Sequence, residues 1–226
     1  SIISSSESLR HHIIYRFRRF FWFICVISAF IGFYFFVTIS QSIFLPIIVL
    51  GFVSVIYGLP LYKNRSHLFR LRDVPGLKIF LIAFVWSYVT EGLPALINGE
   101  SLYYLALFER FLFIFAITIP FDIRDVNYDA SHLATIPQYF GINTAKWMAL
   151  FAILLSELIL FYRFFFNNDL NLIGALAIYI TYEFSFILIY RCHLYSKERY
   201  FTVGVEGMSI LMGILFFFSQ RFFWIN

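Results

Sequence analysis

The 226-residue chain is 61% hydrophobic and 23% aromatic but only 13% charged, and its mean hydropathy of +0.81 exceeds what a soluble core of this size can hide. A water-soluble globular domain is excluded. The net charge of +4 and the pI near 9.1 are read as membrane topology and anionic-lipid contact, and not as nucleic-acid binding.

A spanning helix needs about 20 mostly apolar residues. The chain supplies seven such stretches, 20–39, 43–59, 77–97, 103–121, 144–165, 170–191 and 203–224. Strands of a closed barrel alternate apolar and polar residues, whereas "FWFICVISAFIGFYFFV" in the first stretch is continuously apolar. The expected fold is all-α: one polytopic transmembrane bundle over residues 1–226, without soluble module or repeat. "HHIIYRFRRFF" resembles a signal-peptide lead, but the apolar run behind it is too long and lacks a small-residue cleavage site, so that run is expected to stay in the membrane. "SIISSSES" lacks an initiator Met, and Ser1 is not expected to be the true start.

Alternate connections carry the basic residues. Before the first span stand Arg10, Arg16, Arg18 and Arg19; between the second and third, Lys63, Arg65, Arg70, Arg72 and Lys78. Between the fourth and fifth stand Arg124 and Lys146, and between the sixth and seventh Arg191, Lys197 and Arg199. Together these are fourteen of the 17 basic residues. The opposite connections, "SQS", "NGESL" and "FNNDLN", hold none. Basic connections face the cytoplasm, so an inner (cytoplasmic) membrane is expected, with the C-terminus outside. Cys25, inside the first span, and Cys192, at the cytoplasmic end of the sixth, are expected to be free thiols.

The fourth span runs into "DIRDVNYDASHLATIPQYFG". If the helix continues, Asp122, Asp125 and Asp129 fall near about 0°, 300° and 340° and share one face, while Arg124 and Asn127 point elsewhere. Carboxylates are hard ligands suited to Mg²⁺, which is held by one or two of them plus substrate phosphates. A solvated acidic loop is the other reading. The glycine and terminal Glu of an EF-hand are missing.

This string, with Thr135, Pro137 and Gly141 before a new apolar run, resembles the second aspartate-rich motif of the UbiA superfamily of intramembrane prenyltransferases. "YGLPLYKNR" resembles the Tyr, Pro and basic pair which that family carries after an earlier helix. The resemblance implies Mg²⁺ at Asp122, Asp125 and Asp129, and an isoprenyl diphosphate at Lys63 and Arg65. It also implies transfer of the isoprenoid to a lipid or aromatic acceptor. The family has nine helices and a first Asn/Asp motif; that motif is not in 1–226, and "HLAT" stands where a basic residue usually precedes the Thr. Two helices before Ser1 are therefore expected, or else a non-catalytic UbiA-like subunit of a larger membrane complex.

A second set of charges lies within the spans. At ~1.5 Å per residue from the cytoplasmic ends, Arg110 is roughly 16 Å deep, and Glu91, Glu109 and Glu157 about 18–20 Å deep. Such groups are usually paired or functional. Arg110 with Glu91 or with Glu157 would be a structural pair; a polar path would make the protein transporter-like. His11, His12, His67, His132 and His193 lack metal-site spacing and are assigned to headgroups.

The charge count makes a direct prediction. On a background with Cys25 and Cys192 replaced by Ser, cysteines at positions 66 and 196 should react with impermeant reagent only from the cytoplasm, and one at position 168 only from outside. Shared accessibility of 66 and 168 would end the seven-span topology.

Overall fold

In hydrocarbon each backbone N–H and C=O must find a partner within the chain, and a continuous apolar run achieves this as a helix. The computed structural model describes residues 16–38, 41–64, 67–70, 74, 76–126, 135–167 and 170–223. By contacts the chain divides into a unit ending at Ile47 and a unit beginning at Ile48. The first two expected spans are helical, as α1 (Arg18–Thr38) and α2 (Gln41–Gly58). Most described side chains of α1 are exposed.

Five further helices are long and apolar enough to cross a membrane. They are α3 (Leu77–Ile97), α4 (Tyr104–Asp125), α6 (Ile142–Asn167), α7 (Leu172–Arg191) and α8, which joins a π segment Tyr200–Val205 to the helix Glu206–Phe223. A short α5 (Ile136–Phe140) precedes α6. The chain is thus an integral membrane protein with an all-α bundle. Its one sheet among the described residues is an antiparallel hairpin, β1 (Pro60–Asn64) with β2 (His67–Arg70), placing Asn64 opposite His67 and Tyr62 opposite Phe69. Hydropathy alone marks this stretch as a polar connection. Outside the apolar runs the backbone can pair between strands, as β1 and β2 do.

Within the second unit, α4 is the hub. In its apolar window 61% of residues are buried, against at most 44% in the other four spans, and it packs against α3, α6 and α7. Lipid tails are as apolar as Leu, so helices associate through close packing of small residues more than through hydrophobic drive. The buried faces fit that rule: Ala83, Ala106, Ala116, Ala145, Ala149 and Ala152 are all buried, with Ser156, Thr181 and Ser185 among them. These hydroxyls donate to the carbonyls of Ala152, Ala177 and Thr181 at 3.0, 2.9 and 2.7 Å, so no donor is stranded. Large rings such as Phe108, Trp147 and Phe161 are exposed on the bundle surface.

Three turns widen from α to π geometry. Tyr88–Gly92 interrupts α3, Arg163–Asn167 ends α6 and Tyr200–Val205 begins α8. In α3 the Leu93 N–H bonds back to the Tyr88 carbonyl, five residues earlier, immediately before Pro94, which has no N–H to continue the ladder. Between α5 and α6, Gly141 has φ 85°, a conformation open to glycine and strained for other residues. That glycine opens the next helix, in the place where the sequence pattern puts it.

Packing through small residues predicts an asymmetry. Ala149→Leu should destabilise the bundle by about 1–3 kcal/mol through overpacking, while Ile210→Ala, on an exposed face of α8, should stay within about 0.5 kcal/mol. Unfolding in mixed detergent micelles measures both, and equal effects would refute small-residue packing as the basis of the core.

Candidate functional site

The last turn of α4 extends past the expected span and carries Asp122, Arg124 and Asp125. Lys78, in the first turn of α3, donates to Asp122 Oδ1 at 2.8 Å, and Asp122 is only 1% exposed. Arg124 Nε and Nη2 donate to the two oxygens of Asp125 at 2.6 and 2.9 Å. The guanidinium lies 5.3 Å from the Phe121 ring and 5.4 Å from the Phe201 ring. Phe201 is brought there by the π segment of α8.

The helix dipole favours anions at N-termini and cations at C-termini. Here a carboxylate is buried in a C-terminal turn and an ammonium stands in an N-terminal turn. Local helix stability therefore does not account for Asp122 and Lys78; each depends on the other. Nearby, Gln138 of α5 donates to the Val126 carbonyl at 3.3 Å and accepts from the Thr135 N–H at 3.1 Å, tying α5 to the end of α4. Lys146 donates to the Cys192 carbonyl at 2.9 Å. Burial pushes the Cys192 thiol up to about 11, against the opposing pull of the Lys146 charge, so it stays protonated at neutral pH.

A second ionic layer lies inside the bundle. Glu109 is 2% exposed; its Oε2 accepts from Arg163 Nη1 at 2.6 Å and its Oε1 from the Tyr182 hydroxyl at 2.7 Å. Ser156 Oγ lies 3.3 Å from the Glu109 carbonyl, and Arg163 sits 5.4 Å from the Tyr103 ring. The next residue, Arg110, pairs with Glu91 of the α3 π segment at 3.5 Å and also donates to the Met212 sulfur of α8. Of the two partners that depth allows Arg110, Glu91 is the one beside it. Glu157 instead faces a groove between α6 and α7.

The residues singled out in the sequence are thus only partly brought together. Asp122 and Asp125 share the end of α4 but engage separate cations. Asp129 and Arg65 lie outside the described residues, and of Lys63 the structure gives its place in β1, opposite Leu68. The described helix α4 ends at Asp125. Arg124 does not point away, because its long side chain folds onto its neighbour Asp125.

Among the described residues no three His, Cys, Asp or Glu side chains are grouped to hold a metal ion. Of the three aspartates of the implied Mg²⁺ site, the two described ones are each engaged by a cation, Asp122 by Lys78 and Asp125 by Arg124. Sequence reasoning passed over Lys78 and Arg124, counted only for topology, and Arg163 and Tyr182. The signal for Arg163 was present, since "FYRFFF" puts a guanidinium at the edge of an apolar run. Compared with protein-family models, curated proteins and solved structures, the chain matches none.

The Glu109 network predicts graded losses. Arg163→Met leaves a buried carboxylate without its cation and should destabilise the bundle by about 3–5 kcal/mol. Tyr182→Phe removes one hydrogen bond to a charged group and should cost about 1.5–3 kcal/mol. Equal small effects in mixed-micelle unfolding would show that the pair is not integral to the fold.

Proposed function

We propose that the chain is a UbiA-like membrane prenyltransferase, moving an isoprenoid from its diphosphate to a lipid or aromatic acceptor. One observation carries this: a buried carboxylate paired with a half-buried ammonium, both against helix-dipole preference, beside an arginine stacked on two rings, at one end of an apolar bundle. The resemblance of "DIRDVNYDASHLATIPQYFG" to the family's second motif supports the same reading. In such a transfer the allylic C–O bond breaks and its electron pair leaves with the diphosphate. The acceptor atom bonds to the allylic carbon and gives up a proton. Negative charge grows on the leaving group, so fixed cations lower the barrier.

In this proposal Lys78 and Arg124 provide that charge, with Lys63 and Arg65 from the preceding connection, while Asp122 and Asp125 hold the two cations in position before the anion arrives. Aromatic faces around the hydrocarbon stabilise the cationic carbon. In this proposal the end faces the cytoplasm and the C-terminus lies outside, in the inner membrane, a reading that the bias of basic residues toward alternate connections supports. A second reading, a non-catalytic UbiA-like subunit, is favoured by the one-to-one matching of Asp122 and Asp125 with cations.

The experiment uses the full chain in nanodiscs of native lipid extract, with farnesyl, geranylgeranyl and longer isoprenyl diphosphates, with and without Mg²⁺. At least one diphosphate should raise the unfolding temperature where the matching alcohol does not. Arg124→Gln should weaken that ligand about tenfold, about 1.4 kcal/mol. Release of diphosphate with appearance of a prenylated lipid supports transfer; stabilisation without release supports the subunit reading; no stabilisation by any diphosphate overturns both.

A further inference from the structure

Between α6 and α7 lies a groove of about 680 Å³, lined almost wholly by apolar side chains, including Phe151, Leu158, Phe161 and Leu176. Leu158 and Phe161 are 66% and 64% exposed, so the groove is open along the bundle surface. One carboxylate, Glu157, lines it. Glu183 of α7 is near enough for the two like charges to repel, and Tyr179, also lining the groove, donates to Glu183 Oε1 at 2.5 Å.

Depth decides what can meet these acids. At ~1.5 Å per residue, Glu157 stands about 15 Å from the Asn167 end of α6 and Glu183 about 12 Å from the Arg191 end of α7. Both sit within the hydrocarbon, where an ionisable group is costly and usually paired. Among the described residues neither acid has a basic partner. The arginines packed within the bundle, Arg110 and, nearer the end of α6, Arg163, are engaged by Glu91 and Glu109. The basic residues of α1 lie at its start, "RRFFWF", and not at mid-span. A lipid headgroup stays at the interface, above this depth.

We infer that this groove is the docking surface for a transmembrane helix of a different membrane protein that carries a Lys or Arg near its middle. An apolar helix seats in an apolar groove, and the basic side chain gives the pairing its depth and specificity, because the acid and base remove each other from hydrocarbon. A second copy of this chain does not satisfy the charge, since its Arg110 and Arg163 are already engaged. The inference is independent of prenyl transfer.

The test reconstitutes the full chain in phosphatidylcholine vesicles with labelled polyleucine helices of about 22 residues bearing a central Lys, Leu or Glu. Energy transfer measures association. The Lys helix should associate at least tenfold more strongly than the Leu helix, and the Glu helix no better than Leu. The pair Glu157→Gln, Glu183→Gln should abolish the preference, and Leu176→Trp, which fills the groove and keeps both acids, should weaken it. Unchanged melting by circular dichroism shows that each variant is folded. Equal association of Lys and Leu helices overturns the inference, as does association of the chain with itself that depends on Glu157, or a Lys preference that survives the Glu substitutions.

Discussion

The ion pair between Glu109 and Arg163 is the contact on which the rest of the bundle depends. A carboxylate in a hydrocarbon-surrounded interior remains charged only if a cation and further donors meet it there. Glu109 has both, from Arg163 at the end of α6 and Tyr182 of α7. Three helices must therefore converge on one point, in one register. Arg110 lies ~100° further around α4 and faces α3 and α8 through Glu91 and Met212. Two consecutive residues tie the central helix to four neighbours. The alanines on the buried faces let the backbones approach closely enough for these short contacts to form.

That anchoring positions the other ionic end. From Glu109 to Asp122 α4 rises about 20 Å without leaving helix, so its registration at one level sets the direction of Asp122, Arg124 and Asp125 at the other. The π segments act at these same levels. One holds Glu91 and another Arg163, and the third sets Phe201 under the Arg124 guanidinium. An extra residue in a turn rotates the downstream part of a helix relative to its upstream part. In a bundle of otherwise regular helices this is how a side chain is turned toward a partner that α geometry would miss.

Much of the architecture could be read from the amino-acid string. The expected spans 77–97 and 170–191 coincide nearly with helices Leu77–Ile97 and Leu172–Arg191, because a continuous apolar run in lipid has few alternatives to helix. The expected span 103–121 falls short of Asp125, since a polar last turn looks the same as a loop in hydropathy. Partner choice was far less legible. Lys78 and Asp122 are 44 residues apart, and Glu109 and Arg163 are 54 apart; periodicity says which face a residue occupies but not which helix adjoins it. Arg110 could be narrowed to Glu91 or Glu157 by depth alone, and only the packing of α3 on α4 decides. The angular estimate treated Arg124 as a direction, whereas a guanidinium on a flexible stem reaches the carboxylate beside it.

The balance of charge with depth links the two ionic layers to the exposed groove. Near the end of α4, Lys78 and Arg124 stand against Asp122 and Asp125; within the bundle, Arg110 and Arg163 stand against Glu91 and Glu109. Arg110 and Arg163 are already matched, so the further acids Glu157 and Glu183 do not have them to take. Rearranging the pairs would not help, because freeing Arg163 for α7 would strand Glu109, which is buried in the central helix. The excess acid therefore stays on the surface, where its neighbours are apolar side chains and one tyrosine. A buried pair constrains how this chain packs on itself, and an unmatched carboxylate at the same depth constrains what can pack against it.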